Sequence, residues 1–267
     1  MSTKIRKLAV HDTWVEGHGG RLFVRVWSPE VRTNRVPIIL LHDSLGSVEL
    51  WRGFPAALCM ATGRQVVAYD RLGFGQSDEH PGTLALDFIA SEAEADFATL
   101  KLQLGIDRFI LFGHSVGGGI AVNCAAQFSD DCVALITESA QAFVEDRTVQ
   151  GIEEARELFK DANQANRLKK YHGEKAQWVL DAWIGSWLHP AFATWSLRPV
   201  LPNVKCPALV IHGIDDEYGS PKHPELIAAL TGGPVQLEIM AGTRHVPHRE
   251  KESEVIEMLS GFTRSLA

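Results

Sequence analysis

The 267-residue chain reads as an α/β fold: a mostly parallel central sheet with helices on both faces. Two observations carry that prediction. Short apolar runs recur along the chain with helical patterns between them, the alternation that parallel crossover connections require. The run Phe109 to Phe112, apolar at every position, also passes directly into Gly113-His114-Ser115-Val116-Gly117 and then into a proline-free stretch of small residues ending near Ala126. That is a strand buried on both faces turning sharply into a helix.

Taken in order, residues 10–28 alternate around Gly17-His18-Gly19-Gly20 and predict an antiparallel hairpin. Core strands are expected near 36–41, 65–69, 108–112, 132–137, 207–212 and 235–240. Helices are expected near 87–104, 116–128, 222–230 and 250–264. The alternation is interrupted at residues 141–200, which carry helical patterns and no strand pattern. There is no internal repeat.

Composition narrows the function classes. A net charge of -7 argues against nucleic acid or an anionic membrane as partner. Met1 to Val10 lacks the apolar core of a secretion signal, and no apolar run approaches a membrane span. Cys59, Cys124, Cys132 and Cys206 are isolated in apolar contexts, as reduced core thiols would be. A cytoplasmic enzyme is the expectation. Gly73-Phe74-Gly75 lacks the third glycine and helix start of a dinucleotide loop, and no phosphate-binding P-loop is present, so no cofactor is expected.

The strand-to-helix turn matches G-x-S-x-G, a nucleophile elbow that lifts a serine hydroxyl above the sheet. A serine in a sparsely populated φ/ψ region crowds its neighbours, which explains glycine at 113 and 117. Gly117, Gly118 and Gly119 together weaken a helix start by roughly 1 kcal/mol each relative to alanine, a local cost that marks a site. A serine hydroxyl is a weak nucleophile and needs a base, which a neutral imidazole held by a buried carboxylate supplies. Two further strand-then-loop segments offer such groups: Ala208-Leu209-Val210-Ile211 followed by His212-Gly213-Ile214-Asp215-Asp216, and Val235 to Ile239 followed by Gly242-Thr243-Arg244-His245-Val246-Pro247-His248.

With Leu40-Leu41-His42-Asp43-Ser44-Leu45-Gly46-Ser47 and Tyr69-Asp70-Arg71-Leu72-Gly73-Phe74-Gly75-Gln76-Ser77 added, the whole chain resembles the α/β-hydrolase superfamily. Within it, the likeness is to the capped, esterase-like branch that also holds carbon-carbon bond hydrolases. The resemblance implies Ser115 as nucleophile, His245 as base and Asp216, by the G-x-x-D spacing, as acid, with Glu138 and Asp215 as alternatives for the acid. It implies an oxyanion hole from the backbone N–H groups of Val116 and Ser44. Asp43 stands where the family has glycine, and is expected to face loop backbone or solvent. The resemblance further implies a core of residues 1–140 and 201–267 with a helical cap inserted at 141–200.

His245 and His248 lack the companions of a zinc site, so no metal is expected. His248 is expected to pack its loop or start a helix, and His114 to wedge beneath the oxyanion loop. The cap holds Trp178, Trp183, Trp187 and Trp195. Leu180, Trp183, Ile184, Trp187 and Leu188 share one helix face, and Trp183 and Trp187 are the candidates to line an acyl pocket. The charged stretch 151–170 reads as the cap's solvated side. The implied activity is hydrolysis of a carboxylic ester of a small to medium, largely apolar acid. Lactone or carbon-carbon bond hydrolysis are alternatives, and a small-ligand receptor on the same fold is the alternative from another class.

Overall fold

The computed structural model describes residues 8–31, 34–264 and 266; positions 1–7 of the charged N-terminal stretch lie outside them. The chain begins with the antiparallel hairpin β1 (Leu8–Glu16) and β2 (Arg21–Pro29), closed by a Gly17 N–H to Gly20 carbonyl bond. There follow β3 (Ile38–Leu41), α1 (Phe54–Thr62), β4 (Val66–Tyr69), α2 (Phe88–Glu94), α3 (Asp96–Gln103), β5 (Phe109–His114), α4 (Val116–Gln127) and β6 (Cys132–Glu138). The remainder is α5 (Asp146–Leu158), α6 (Ala162–His172), α7 (Ala176–Trp187), β7 (Ala208–Gly213), α8 (Lys222–Leu230), β8 (Val235–Met240), α9 (Pro247–Glu250) and α10 (Glu252–Thr263). The eight strands form one sheet in the order β1-β2-β4-β3-β5-β6-β7-β8, parallel from β4 to β8.

Strand alternation divides the core between the sheet's two faces. Ile39, Leu41, Val67, Tyr69, Phe109, Leu111, Leu135 and Val210 pack against α2, α3, α4 and α8, while Ile38, Leu40, Val66, Ala68, Ile110, Phe112, Ile136 and Leu209 pack against α1 and α10. All four cysteines are buried and free. Among the described residues no helix is long and apolar enough to cross a membrane.

Three elements depart from the expectation. The strand expected from residue 36 starts at Ile38, because Pro37 has no N–H to give a ladder. The helix expected at 87–104 is two, broken at Ala95 (φ −96°, ψ −95°), where Asp96 turns in to accept the N–H of His18 on the hairpin turn. The helix expected at 250–264 is also two, with α9 starting at Pro247, whose fixed φ suits a first helical turn. β8 differs in burial rather than position. At this sheet edge Leu237 and Ile239, the residues whose alternation marks the strand, are 38% and 39% exposed.

Between Glu138 and Ala208 the chain makes no strand, only α5 to α7 and short 3-10 turns, plus one isolated bridge from Phe143 to Ser196. His172 ties this segment to the sheet's loops: its Nδ1 accepts the Gly75 N–H (2.9 Å) and its Nε2–H donates to the Leu45 carbonyl (3.0 Å).

Candidate active site

Ser115 sits between β5 and α4 at φ 55°, ψ −125°, a region costly for a non-glycine residue. Its N–H donates to the Glu138 carbonyl (2.9 Å), which fixes the turn against β6. The flanking glycines are required by contact. A Cβ on Gly113 would lie 2.2 Å from the Gly117 carbonyl oxygen, as crowding within the elbow predicts. A Cβ on Gly117 would instead lie 2.2 Å from the carbonyl oxygen of Leu41, so this glycine seats the elbow against β3.

The loops after β7 and β8 bring the other groups to this serine. Ser115 Oγ lies 3.0 Å from His245 Nε2, and His245 Nδ1 lies 2.9 Å from each carboxylate oxygen of Asp216. Asp216 is 1% exposed and also accepts the backbone N–H groups of Tyr218 (2.8 Å) and Gly219 (3.2 Å). Burial works against its charge, but the His245 ring beside it and these hydrogen bonds hold its pKa down at about 2. Burial likewise opposes a charged His245, and the charge and hydrogen bond of Asp216 outweigh it, so the imidazole pKa is raised. Asp215 is exposed, and its N–H bonds the Thr243 carbonyl.

Glu138 does not reach His245. It is fully buried and bound to His248, with Oε2 2.5 Å from Nδ1 and Oε1 accepting the His248 N–H at 2.8 Å. His248 is thus buried in the first turn of α9, against Trp51 and Phe54. His114 lies beside His42, Asp43 and Ser47 of the loop after β3, and its Nε2–H donates to the carbonyl of His245 (2.9 Å) with its ring against that of His245, so it also props the histidine loop. His114, Glu138 and His248 bring one potential metal ligand each within 4.8 Å of one another; His114 Nε2 and His248 Nδ1 are engaged by the bonds just described, while His248 Nε2 is buried without a hydrogen-bond partner among the described residues.

The loop after β3 is set by the loop after β4. Asp70 accepts the N–H groups of Val48 (2.6 Å) and Gln76 (2.7 Å), and His42 accepts the Arg71 N–H (3.2 Å) while donating to the Asp43 carbonyl (2.8 Å). Ser44 is thereby placed beside Ser115, and Val116 opens α4 directly after it. Neither backbone N–H has a partner among the described residues. The Asp43 carboxylate folds over Gly46, where a Cβ would lie 2.0 Å from its Oδ1. It faces its own loop, and Asp43 as a residue also lines the cavity above Ser115.

That cavity, of ≈ 90 Å³, is walled on its apolar side by Leu45, Ile152, Trp183 and Trp187. Trp187 is buried against Phe192 and Trp195, and Trp183 meets Tyr218 edge-on. Trp178 stands apart, stacked on His80 with its indole N–H on the Gly82 carbonyl. Trp195 lies stacked on Phe192.

Residues 36–252 match the alpha/beta hydrolase fold family. The chain belongs to this family. It is 26% identical over 250 residues to a non-heme chloroperoxidase of Streptomyces lividans, covering 80% of this chain and 87% of that one. A stretch of 128 residues is 31% identical to the 1-acylglycerol-3-phosphate O-acyltransferase ABHD5 of Sus scrofa, 45% of this chain but only 35% of that relative's length. Among solved structures, the enol-lactonase from Burkholderia xenovorans LB400 superposes with a TM-score of 0.74 at 20% identity, covering 95% of this chain and all of that one, a likeness of fold.

On this alpha/beta hydrolase fold, several groups at the site escaped the sequence reading. Gln141 accepts the Ser115 Oγ–H through Oε1 at 3.3 Å. Tyr218 places its ring edge-on to His245, 4.8 Å between centroids, and Ile152 reaches the cavity from α5, inside the stretch read as solvated. The adjacent Glu-Ser-Ala-Gln at the end of β6 was the available signal for Gln141, since strand ends above a parallel sheet are where such groups collect.

Proposed function

We propose that this chain is a serine hydrolase cleaving carboxylic esters of small to medium, largely apolar acids through an acyl-enzyme. The observation that carries this reading is the hydrogen-bonded line from Ser115 Oγ through both nitrogens of His245 to Asp216, opening on a cavity walled by aliphatic and indole side chains. His245 Nε2 takes the hydroxyl proton as Oγ attacks the carbonyl carbon. The oxyanion that forms is held by the N–H groups of Val116 and Ser44, worth about 3 to 4 kcal/mol of barrier for each such donor. Collapse expels the alcohol, which takes the proton back from the imidazolium. Water then repeats the sequence on the acyl-enzyme, His245 again acting as base and Asp216 stabilising its charge. In this reading residues 141–200 are a cap on the core of 1–140 and 201–267, and Trp183 and Trp187 on α7 line the acyl side. The cavity volume favours the small end of the acid range.

Labelling with a fluorophosphonate and turnover of p-nitrophenyl esters test the reading. Ser115→Ala should keep its thermal unfolding transition, lose labelling, and lose turnover by roughly 10³-fold or more. Unchanged kcat in that variant overturns the mechanism. Labelling without rapid multiple turnover in the unsubstituted chain would place it with slow receptors instead.

A further inference from the structure

Gln141 is a buried polar side chain held beside the nucleophile by a backbone built to put it there. Ser139, two residues earlier, is at φ 49°, outside the conformations its side chain favours. The kinked segment is pinned on both sides. The Ser139 N–H donates to the Ile211 carbonyl (2.9 Å), and the Ala142 N–H donates to Nδ1 of His223 (3.1 Å), whose Nε2 lies 3.0 Å from Glu145 Oε1. Between them Ala140 presses on α4 so closely that a Cβ on Gly118 would lie 2.4 Å from its own Cβ. Gln141 is left 4% exposed, lining the Ser115 cavity.

The hydrogen-bond inventory around Ser115 is unbalanced. One hydroxyl proton faces two acceptors, His245 Nε2 at 3.0 Å and Gln141 Oε1 at 3.3 Å, and the amide N–H groups of Gln141 have no partner among the described residues. When Ser115 gives its proton to His245, and throughout the life of the acyl-enzyme, Oε1 loses that bond. What Gln141 then offers is a two-donor amide next to the acyl group. Burying such a group has a cost unless the ligand pairs with it. Thr148, on the same wall, already spends its hydroxyl on the Tyr218 carbonyl.

We infer that Gln141 is a specificity-determining residue that donates to an oxygen on carbon 2 of the acyl group, so that the substrates are esters of small 2-oxygenated acids. The position follows from reach. An oxygen on C2 is separated from Ser115 Oγ only by C1 and C2, and Gln141 is, with His245, one of the two side chains bonded to that Oγ. The charge follows from Asp43, which lines the same cavity and whose negative charge is felt at His245, disfavouring a carboxylate on the substrate there, so the oxygen is a neutral ether, hydroxyl or carbonyl. The inference rests on the acyl-enzyme reading.

The test compares p-nitrophenyl methoxyacetate with p-nitrophenyl butanoate, whose acyl groups have nearly the same shape and differ by an oxygen for a methylene on C2. The readout is the ratio of their kcat/KM values, corrected for uncatalysed reactivity, in the unsubstituted chain and in Gln141→Met, a change of similar volume that removes both donors. The ratio should favour methoxyacetate in the unsubstituted chain and fall about tenfold in the variant, whatever happens to the common rate. Gln141→Leu should do the same and serves if Gln141→Met does not fold. An unchanged ratio, with both esters turned over, overturns the inference and leaves ester hydrolysis standing. Failure of the unsubstituted chain to turn over either ester overturns both.

Discussion

Glu138 and His248 form a closed pair beneath the site, 2.5 Å between Oε2 and Nδ1, while His245, three residues earlier in the chain, takes the carboxylate of Asp216. The two histidines are thus served by carboxylates from different strand ends. Burial pushes Glu138 up to about 7 and His248 down to about 3, so below about pH 7 the pair favours a protonated carboxyl on a neutral imidazole and places no net charge in the core.

Exchange of the acids should therefore separate them. Asp216→Asn is expected to lower kcat by about 10⁴-fold, since the imidazole loses the partner that fixes its tautomer and stabilises its charge. Glu138→Gln should keep kcat within about tenfold, because the amide oxygen can still accept the His248 N–H. Asp215→Asn, at an exposed turn, should change nothing. Steady-state kinetics on one ester checks all three, and a crippled Glu138→Gln enzyme with a normal Asp216→Asn enzyme would reverse the assignment.

The pH dependence has a definite sign. His245 must be neutral to accept the serine proton, and its pKa is raised above 6.5, so kcat/KM should fall on the acid side through a midpoint above 6.5. In Asp216→Asn, the largest opposition to burial is gone, leaving only the weaker fields of Asp43 and Glu217, and the limb should move to lower pH. Stability follows the same pair. Asp216, lowered from 3.8 to about 2, contributes stability present above its ordinary value and lost as pH falls through about 2, and the His245 contribution is lost as pH rises through its raised value. A pH–rate profile over roughly pH 5 to 9 for both proteins measures the shift.

Replacing Trp183 or Trp187 with alanine enlarges the space next to Ser115. The ranking of kcat/KM along an acyl series should move toward bulkier acids. Trp187, 3% exposed and packed on Phe192 and Trp195, should also lose about 3 to 5 kcal/mol of stability, and the half-buried Trp183 less. Thermal unfolding run beside the kinetics separates the two effects. A lowered transition with an unchanged ranking in both variants would mean that these rings only fasten α7 down.

What the sequence made legible is what the backbone cannot do without. The parallel strands and the elbow were readable because burial on both faces demands unbroken apolar runs, and because Gly113 and Gly117 have backbone oxygens where a Cβ would be. Asp216 could be singled out from Asp215 only by family spacing; what separates them physically is that one meets the Tyr218 and Gly219 N–H groups and the other meets solvent. Glu138 stayed a rival because its strand end does lie above the sheet, and its commitment to His248 is a contact 110 positions apart. The break at Ala95 lies among residues with no helix-breaking character, and is set by a tertiary bond from Asp96 to the hairpin. Gln141 depends on the unusual φ of Ser139, which no side-chain pattern announces.

The chain departs from the sheet after Glu138 and returns at Ala208 on β7, the strand hydrogen-bonded to β6, with Glu138 and Ile211 in register. Because the pair is parallel, the excursion starts at one end of the strands and finishes at the other, where Ala208 stands opposite Leu135, so the segment also crosses the sheet from end to end and packs Leu197, Leu201 and Val204 into its core. The serine, the imidazole and the carboxylate all hang from loops outside it. On the proposed function the excursion supplies Gln141, Ile152, Trp183 and Trp187 to the cavity while Asp43, Leu45 and Tyr218 come from outside it, so exchanging the excursion would recut only part of the wall and leave the proton path from Ser115 to Asp216 in place.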